Sequence, residues 1–238
     1  MTHWEKPHRN AADVLAVDVL DAFAGGGMVR VLERRPHAVI LERLQPGTPL
    51  SALVANGEDD RATRILARTI RRLRAERIPQ GVPAAADLGA GFERYRQSGD
   101  RELPIELVRE ARRQYFDLCD TQQTVRFLHG DLHHDNVLFD ERRGWIAIDP
   151  HGVAGEVEYE LAAALRNPVE QPRMLTEAGV FERRVDVFVR ELPVDADRVR
   201  RWAFAAAVLA AIWTIEDGVD PALRRRWIAF AGMIQPRA

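Results

Sequence analysis

The chain has almost no lysine and almost no cysteine. Of its 34 basic residues only Lys6 is a lysine, and all the others are arginines. Cys119 is the single cysteine, so an internal disulfide is excluded, and a lone thiol fits a reducing cytoplasm. The formal net charge of −2 gives no electrostatic reason to expect nucleic acid or an anionic membrane as a partner.

Long apolar segments are also missing. The longest apolar run, Trp202–Trp213, is too short to span a bilayer and predicts a core helix instead. The first ten residues, MTHWEKPHRN, have no apolar run behind a basic start, so they do not read as a secretory signal. With 29% charged and 46% hydrophobic residues over 238 positions, we expect a cytoplasmic globular protein with a full core.

The first fifty residues predict a small α+β unit. Helical spacing of apolar residues indicates a helix over 11–23, and the glycines at 25–27 predict its C-cap and a turn. Two short strands follow at Met28–Leu32 and Ala38–Leu41. Residues 42–50, which include a proline and a glycine, read as a connector.

The remainder is mostly helical, interrupted by one predicted β-hairpin at 137–148. Helices are predicted at 59–77, 84–97, 104–120, 156–166, 174–191, 195–217 and 220–233. The expected fold class is therefore α+β, with a small unit at 1–44 and a larger helical unit at 45–238. The hairpin is expected to lie on the helical unit and to face the small one.

The segment FLHGDLHHDNVLFD (127–140) concentrates histidine and aspartate. A metal-dependent phosphohydrolase could use His129, His133, His134 and Asp135 as ligands. However, their spacing differs from the helical H-E-x-x-H pattern, and Gly130 argues against a helix. Side chains that satisfy the donors of a loop are a third explanation of this stretch taken alone.

Phosphoryl transfer explains more of these residues with one mechanism. Asp131 and Asn136 form D-x-x-x-x-N, the spacing of a kinase catalytic loop, and Asp149 follows after the predicted hairpin. An amide and a carboxylate offer oxygen ligands, which suit Mg²⁺ better than zinc. The pattern therefore favours a site that orients an acceptor hydroxyl at Asp131 and binds Mg²⁺ at Asn136 and Asp149.

Several motifs resemble the aminoglycoside phosphotransferase family, specifically its streptomycin 6-kinase and hydroxyurea-resistance kinase subgroup. They are HGDLHHDNVL (129–138), IDPHG (148–152), ILERLQPG (40–47), GEVEYELAAALRNP (155–168) and WTIEDG (213–218). The resemblance covers about residues 11–235. It implies a protein-kinase-like two-lobe fold that uses ATP and Mg²⁺ to phosphorylate a small hydrophilic acceptor, such as the aminoglycoside streptomycin.

The resemblance also implies a role for individual positions. Asp131 would orient or deprotonate the acceptor hydroxyl, while Asn136 and Asp149 would hold the magnesium ions. His129 would brace the metal-binding aspartate, and Glu160, where the family usually has aspartate, would tie down the catalytic loop.

The implied nucleotide and acceptor sites lie elsewhere in the chain. The hinge that gives backbone groups to adenine would be formed by Glu42, Arg43 and Leu44. The carboxylates expected to receive a cationic sugar are Glu216, Asp217 and Glu158.

The small lobe departs from the family pattern. The family begins with a β-hairpin over the phosphates and a strand that carries a lysine. Here only ten residues precede the predicted helix, and Glu5 and Pro7 beside Lys6 do not predict a buried strand. We therefore expect a truncated N-terminal lobe. Asp13 and Asp18 are candidate acidic partners for Lys6, and a solvated terminal lysine is the favoured alternative.

Three explanations of this departure remain open. The true start could lie upstream, the chain could be a working kinase with a reduced lobe, or it could be a catalytically impaired nucleotide- or ligand-binding protein. The intact D-x-x-x-x-N and Asp149 favour transfer chemistry.

Overall fold

A computed structural model describes residues 4–7, 18–23, 26–35, 38–171, 176–219 and 221–236. Within these ranges the N-terminal part is a three-stranded antiparallel sheet. Its strands are β1 (Trp4–Pro7), β2 (Val31–Arg35) and β3 (Ala38–Leu41), in the order β1-β3-β2. A helical segment, α1, covers residues 18–22. Residues 11–17 of the predicted helix lie outside the described ranges.

The sheet differs from the prediction at two places. Residue 6 is in a strand, because β1 pairs with β3 in a register that places Lys6 opposite Val39. The sequence did not predict this strand, and Pro7 is tolerated because it ends the strand. The second strand begins at Val31 rather than Met28, since Met28 instead bridges to Ala147.

The connector and the hairpin together form a second sheet. The predicted hairpin is confirmed as β6 (Val137–Asp140) and β7 (Gly144–Ala147). Residues 46–49 were expected to be loop, but they form the strand β4 (Pro46–Pro49). β4 pairs with β6, and residues 48 and 49 lie opposite Phe139 and Leu138. A third, two-stranded sheet joins β5 (Arg126–Leu128) to β8 (Val153–Gly155).

The remaining regular elements of the described chain are helices, as predicted, except that the helix at Ser51–Ala55 was not predicted. Residues 174, 175 and 220 of two predicted helices lie outside the described ranges. The helices are α2 (Ser51–Ala55), α3 (Asp59–Arg72), α4 (Ala85–Leu88), α5 (Ala90–Ser98), α6 (Ile105–Asp120), α7 (Val157–Leu165), α8 (Ala178–Glu191), α9 (Ala196–Glu216) and α10 (Pro221–Ile234). The helix predicted at 59–77 ends at Arg72 because Leu73 adopts an extended backbone conformation. The one predicted at 84–97 is two helices that meet at Gly89.

Helix α9 is the centre of the helical core. It packs against α6, α7 and α10, and its side chains from Trp202 to Ile212 are all buried. A helix that is apolar on every side belongs in a core, so the prediction for Trp202–Trp213 is confirmed. None of the helices in the described ranges has both the length and the apolarity to cross a membrane.

Hydrogen bonds join the hairpin to the N-terminal segment. Val29 N donates to Ala147 O at 2.9 Å, and Ala147 N donates to Gly27 O at 2.8 Å. Gly27 has φ +102°, a conformation that favours glycine and fits the predicted turn. The hairpin therefore faces the small unit, as expected, and the segment that follows it runs back beside the His/Asp loop.

Candidate active site

Backbone hydrogen bonds join the loop after β5 to the segment that follows β7. His129 O accepts hydrogen bonds from both His151 N and Gly152 N, each at 2.9 Å. Gly130 has φ +86°, and a Cβ there would lie 2.7 Å from a methyl carbon of Val153. This close approach brings the segment 129–136 against the chain that follows β7.

Asp131 is partly buried between two basic side chains. Its carboxylate lies 3.6 Å from Arg166 Nη2 and 3.5 Å from His133 Nε2. Burial alone raises the pKa of Asp131, but the hydrogen bond from His133 and the charge of Arg166 outweigh it and lower the pKa. Asp131 is therefore ionised at neutral pH and can accept a proton or orient a hydroxyl group.

Asn136 and Asp149 are linked to Asp131 through the loop. Asn136 Nδ2 donates to Asp131 O at 2.9 Å, and Ile148 N donates to Asn136 O at 2.9 Å. The first bond leaves the Oδ1 oxygen of Asn136 for a cation. Asp149 is exposed and has φ +55°, the one positive φ of a non-glycine residue in the described ranges. Such strain in a loop is typical of functional sites.

His129 connects the loop at Asp131 to the chain that follows β7 at Ile148. Its buried ring lies 2.8 Å from Ile148 O through Nε2, and Asp131 N donates to Nδ1 at 3.3 Å. A carbonyl can only accept, so Nε2 carries the proton and the ring is neutral. Burial lowers the pKa of His129 to about 4, although the Ile148 carbonyl raises it.

We expect acid to destabilise the fold through His129. The native pKa lies below the unfolded value, so the stability is present above about pH 6.5 and is lost as the pH falls towards about 4. Between these pH values the native chain should lose up to about 3 kcal/mol of unfolding free energy relative to His129→Gln. Denaturant unfolding at several pH values measures this, and parallel curves for the two proteins would contradict it.

Glu160 binds the loop from α7. Its carboxylate accepts from Gly130 N at 3.1 and 3.2 Å and from Leu132 N at 3.3 Å. The side chain is buried, and burial raises the pKa of Glu160 to about 7 against the opposing effect of these backbone donors. The contacts suit the predicted role of tying down the loop.

The raised pKa of Glu160 predicts the opposite dependence on pH. The native state binds the proton more tightly than the unfolded state, so stability is present below about pH 4.5 and is lost as the pH rises through about 7. Between pH 5 and pH 8 we expect the native chain to lose up to about 3 kcal/mol relative to Glu160→Gln. Denaturant unfolding measures the free energies of both proteins. A constant difference in unfolding free energy between pH 5 and pH 8 would contradict the raised pKa of Glu160 and mean that this carboxylate is ionised throughout.

The other residues of the loop do not assemble a metal cluster. His134 is fully buried, and Asp135 accepts a hydrogen bond from Ser51 Oγ. His133 is turned towards Asp131 and Asp135. Among the described residues there is no group of three or more histidine, cysteine, aspartate or glutamate side chains that could hold a metal. The metal-dependent phosphohydrolase interpretation therefore has no ligand set in the described chain.

The predicted hinge lies between the first two sheets. The backbone N–H and the side chain of Glu42 already have partners. The backbone N donates to Arg30 O at 2.9 Å, and the side chain pairs with Arg143. Arg43 is exposed and Leu44 is buried. No hydrogen bond joins the main-chain groups of Arg43 or Leu44 to another described residue. The hinge prediction assigns these main-chain groups to adenine.

A cavity of about 440 Å³ opens beside Asp131, between the loop and the helices α7, α9 and α10. Of the three acidic residues predicted to bind an acceptor, only Asp217 lines it. Glu216 pairs with Arg94 at 2.8 Å, and Glu158 accepts from Asp195 N at 3.2 Å. We call this space the acceptor cavity.

Sequence reasoning did not single out most residues that line the acceptor cavity, among them Arg166 and Trp227. Arg166 follows α7 and belongs to the Arg-Asn-Pro at the end of the motif at 155–168, which could have marked it. Trp227 lies on α10, and nothing in its local sequence connects it with a loop nearly a hundred residues earlier.

The fold is that of the protein-kinase-like phosphotransferases. A choline/ethanolamine kinase family protein from Mesorhizobium loti matches 98% of this chain and 82% of its own, with a TM-score of 0.69 and 17% identity. A second match is a thermostable mutant of aminoglycoside phosphotransferase APH(4)-Ia in ternary complex with AMP-PNP and hygromycin B. The match covers 92% of this chain and 82% of the mutant, with a TM-score of 0.63 and 17% identity. The predicted kinase-like α+β fold is confirmed.

The chain belongs to the aminoglycoside/hydroxyurea antibiotic resistance kinase family, whose model matches residues 3–218. The match begins at residue 3, so the similarity includes β1 and extends further towards the N-terminus than the predicted start near residue 11. A streptomycin 3''-kinase from Klebsiella pneumoniae is 34% identical over 203 residues, covering 84% of this chain and 75% of that protein.

Two other relatives are longer than the matched region. A hydroxyurea phosphotransferase from Kitasatospora aureofaciens is 32% identical, covering 92% of this chain and 63% of its own length. A streptomycin 6-kinase from Streptomyces griseus is 32% identical, with 84% and 66% covered. The predicted family is confirmed, and it is one of small-molecule kinases.

Proposed function

We propose that this chain transfers the γ-phosphoryl group of ATP to a hydroxyl group of a small, antibiotic-like acceptor. The single observation that carries this proposal is the position of Asp131. Its carboxylate has a lowered pKa, its backbone oxygen is bonded to Asn136, and it lines the acceptor cavity. An ionised carboxylate at the wall of a cavity is what a hydroxyl acceptor requires.

The proposed transfer begins when Asp131 accepts a hydrogen bond from the acceptor hydroxyl group. The hydroxyl oxygen bonds to the γ-phosphorus, and the bond from that phosphorus to the β–γ bridging oxygen breaks. ADP leaves with the electron pair of that bond, and the hydroxyl proton passes to Asp131 and then to solvent. Arg166, 3.6 Å from Asp131, keeps the carboxylate ionised before the transfer.

Mg²⁺ fits the oxygen donors that we assign to it, Asn136 Oδ1 and the Asp149 carboxylate. Few protein ligands are needed, because Mg²⁺ retains waters and binds substrate phosphates. When bound, it neutralises charge on the phosphates. The chain itself holds Asn136 through the bond to Asp131 O and presents Asp149 from the end of the hairpin.

The proposed nucleotide side is the unit at 1–44, and the proposed acceptor side is the unit at 45–238. Backbone groups of Arg43 and Leu44 would bind adenine. Lys6 lies on β1, which pairs with β3, the strand that leads to Arg43, and it is the lysine that we assign to this side.

The names of the relatives supply the acceptors to test, namely streptomycin and hydroxyurea. The experiment measures ADP release from ATP and Mg²⁺ with each acceptor and without one. Release that depends on acceptor and on Mg²⁺ would support the proposal. ATP binding without stimulated release by any acceptor of the family would favour the alternative of a nucleotide-binding protein that does not catalyse transfer.

A further inference from the structure

The ring of His133 is held by the short turn that begins at this residue. Its Nδ1 accepts a hydrogen bond from Asp135 N at 3.3 Å and thereby caps the 3₁₀ turn His134–Asn136. The backbone oxygen of His133 accepts from Asn136 N at 3.0 Å. Both the side chain and the main chain of His133 are therefore fixed by the turn that carries Asn136.

The bond from Asp135 N also determines which ring nitrogen of His133 carries the proton. A backbone N–H can only donate, so Nδ1 is the unprotonated nitrogen of a neutral ring and the proton lies on Nε2. Nε2 in turn lies 3.5 Å from Asp131 Oδ2. Contacts between catalytic groups are often this long before substrates bind and shorten in the reacting complex. The turn thus directs a neutral N–H donor at the Asp131 carboxylate.

The carboxylate of Asp131 needs such a donor because its own torsion is soft. Rotation of a carboxylate about its bond to Cβ has broad minima, so the torsion itself does not fix the plane of the two oxygens. Here Oδ1 lies 3.6 Å from Arg166 Nη2, and Oδ2 lies 3.5 Å from His133 Nε2. Donors beside opposite oxygens define this plane, and each oxygen keeps a lone pair for a further donor.

Arg166 and His133 contribute differently to this arrangement. Arg166 supplies a permanent positive charge from the end of α7, whereas His133 supplies a neutral donor from within the loop. His133 does not line the acceptor cavity, so it can act on the acceptor only through Asp131. Because the turn of His133 also carries Asn136, its ring couples the orientation of the carboxylate to the position of that amide.

We propose that His133 is a positioning residue of the transfer reaction. Its Nε2–H holds the Asp131 carboxylate in the plane that receives the acceptor hydroxyl, and its Nδ1 fixes the ring to the turn that carries Asn136. The inference rests on the proposed function, because it takes Asp131 as the group that orients the hydroxyl.

Two variants separate the roles of the two ring nitrogens. In His133→Asn the side-chain oxygen can occupy the position of Nδ1 and cap the turn, since asparagine is a favoured N-cap residue. That side chain ends before the position of Nε2, so the donor to Asp131 is lost. In His133→Gln the longer side chain can place an amide N–H near the position of Nε2, but the cap is lost.

We expect kcat and thermal stability to rank these two variants in opposite orders. His133→Asn should unfold near the native temperature and lose about 10- to 100-fold in kcat, the usual cost of a misplaced catalytic group, with little change in the KM for ATP. His133→Gln should unfold at a lower temperature and retain more kcat than His133→Asn. Thermal unfolding and steady-state kinetics with ATP, Mg²⁺ and either streptomycin or hydroxyurea measure both quantities.

Ser51→Ala is the matched control, because it removes the side-chain bond to Asp135 on the same turn without altering His133. Its kcat should remain native. Native kcat in His133→Asn would overturn the inference. A kcat that falls in step with thermal stability across the variants would also overturn it, because His133 would then serve only the fold.

A second measurement needs no turnover. Nitrogen-15 spectra of the histidine-labelled full chain at about pH 8, where an ordinary histidine is neutral, show which ring nitrogen carries the proton. His133→Asn assigns the signal by its loss. We expect the proton of His133 on Nε2, and a proton on Nδ1 would overturn the inference. The expected proton position in a native chain that phosphorylates neither acceptor would instead count against the proposed transfer, so the two failures are distinguishable.

Discussion

Replacement of Asp131 by asparagine is expected to lower kcat by about 10²- to 10⁴-fold, the usual contribution of a positioned acid or base. Asparagine has nearly the same size, but its amide accepts a proton far less readily than a carboxylate. The loop should remain in place, because Glu160 binds the backbone N–H groups of Gly130 and Leu132, and the bond to His129 uses the backbone N of Asp131. Steady-state kinetics with ATP, Mg²⁺ and the active acceptor measure the change.

The matched control is Asp135→Asn, four residues further along the loop. Asp135 pairs with Ser51 and does not line the acceptor cavity, so its variant should retain kcat within a few-fold. Equal losses in both variants would mean that the loop merely needs negative charge. Full activity of Asp131→Asn would show that the Asp131 carboxylate takes no part in the transfer.

Replacement of Asp149 is expected to abolish the Mg²⁺-dependent part of nucleotide binding and to lower kcat at least about 100-fold. The two variants Asp149→Ala and Asp149→Gly both remove the carboxylate. They differ in backbone strain, because Asp149 has φ +55° and an L-residue pays roughly 1 kcal/mol for that conformation. Asp149→Gly should therefore be about 1 kcal/mol more stable than Asp149→Ala, although both should show the same loss of kcat.

Calorimetric titration of nucleotide with and without Mg²⁺ separates the two effects of Asp149. Without Mg²⁺ the native chain and both variants should bind ADP alike, and only the native chain should gain affinity when Mg²⁺ is added. Glu141→Ala, on the exposed turn of the same hairpin, is the control. Full activity in Asp149→Gly would show that the carboxylate binds no metal.

The hairpin and its flanking residues were predictable because local patterns determine them. Apolar runs on both sides of a polar turn predicted β6 and β7, and the spacing from Asp131 to Asn136 predicted the loop. β4 was not predictable in this way. Its PGTP sequence reads as a turn, and only pairing with β6 from ninety residues away makes it a strand.

The acceptor cavity was the least predictable part of the site. Its walls come from the loop and from three helices that are far apart in sequence, so their juxtaposition depends on tertiary packing. Acidic residues near the end of α9 looked equivalent, but Glu216 is paired with Arg94 while Asp217 lines the cavity. The strand that contains Lys6 was missed for the same reason, because β1 forms only by pairing with β3.

The stoichiometry of the reaction tests the central claim most directly. The chain is incubated with ATP, Mg²⁺ and the acceptor that stimulates ADP release, and mass spectrometry counts the phosphorylated acceptor against ADP. We predict one phosphorylated acceptor for each ADP with the native chain and none above background with Asp131→Asn. ADP with free phosphate and unchanged acceptor would contradict a phosphotransferase and indicate hydrolysis.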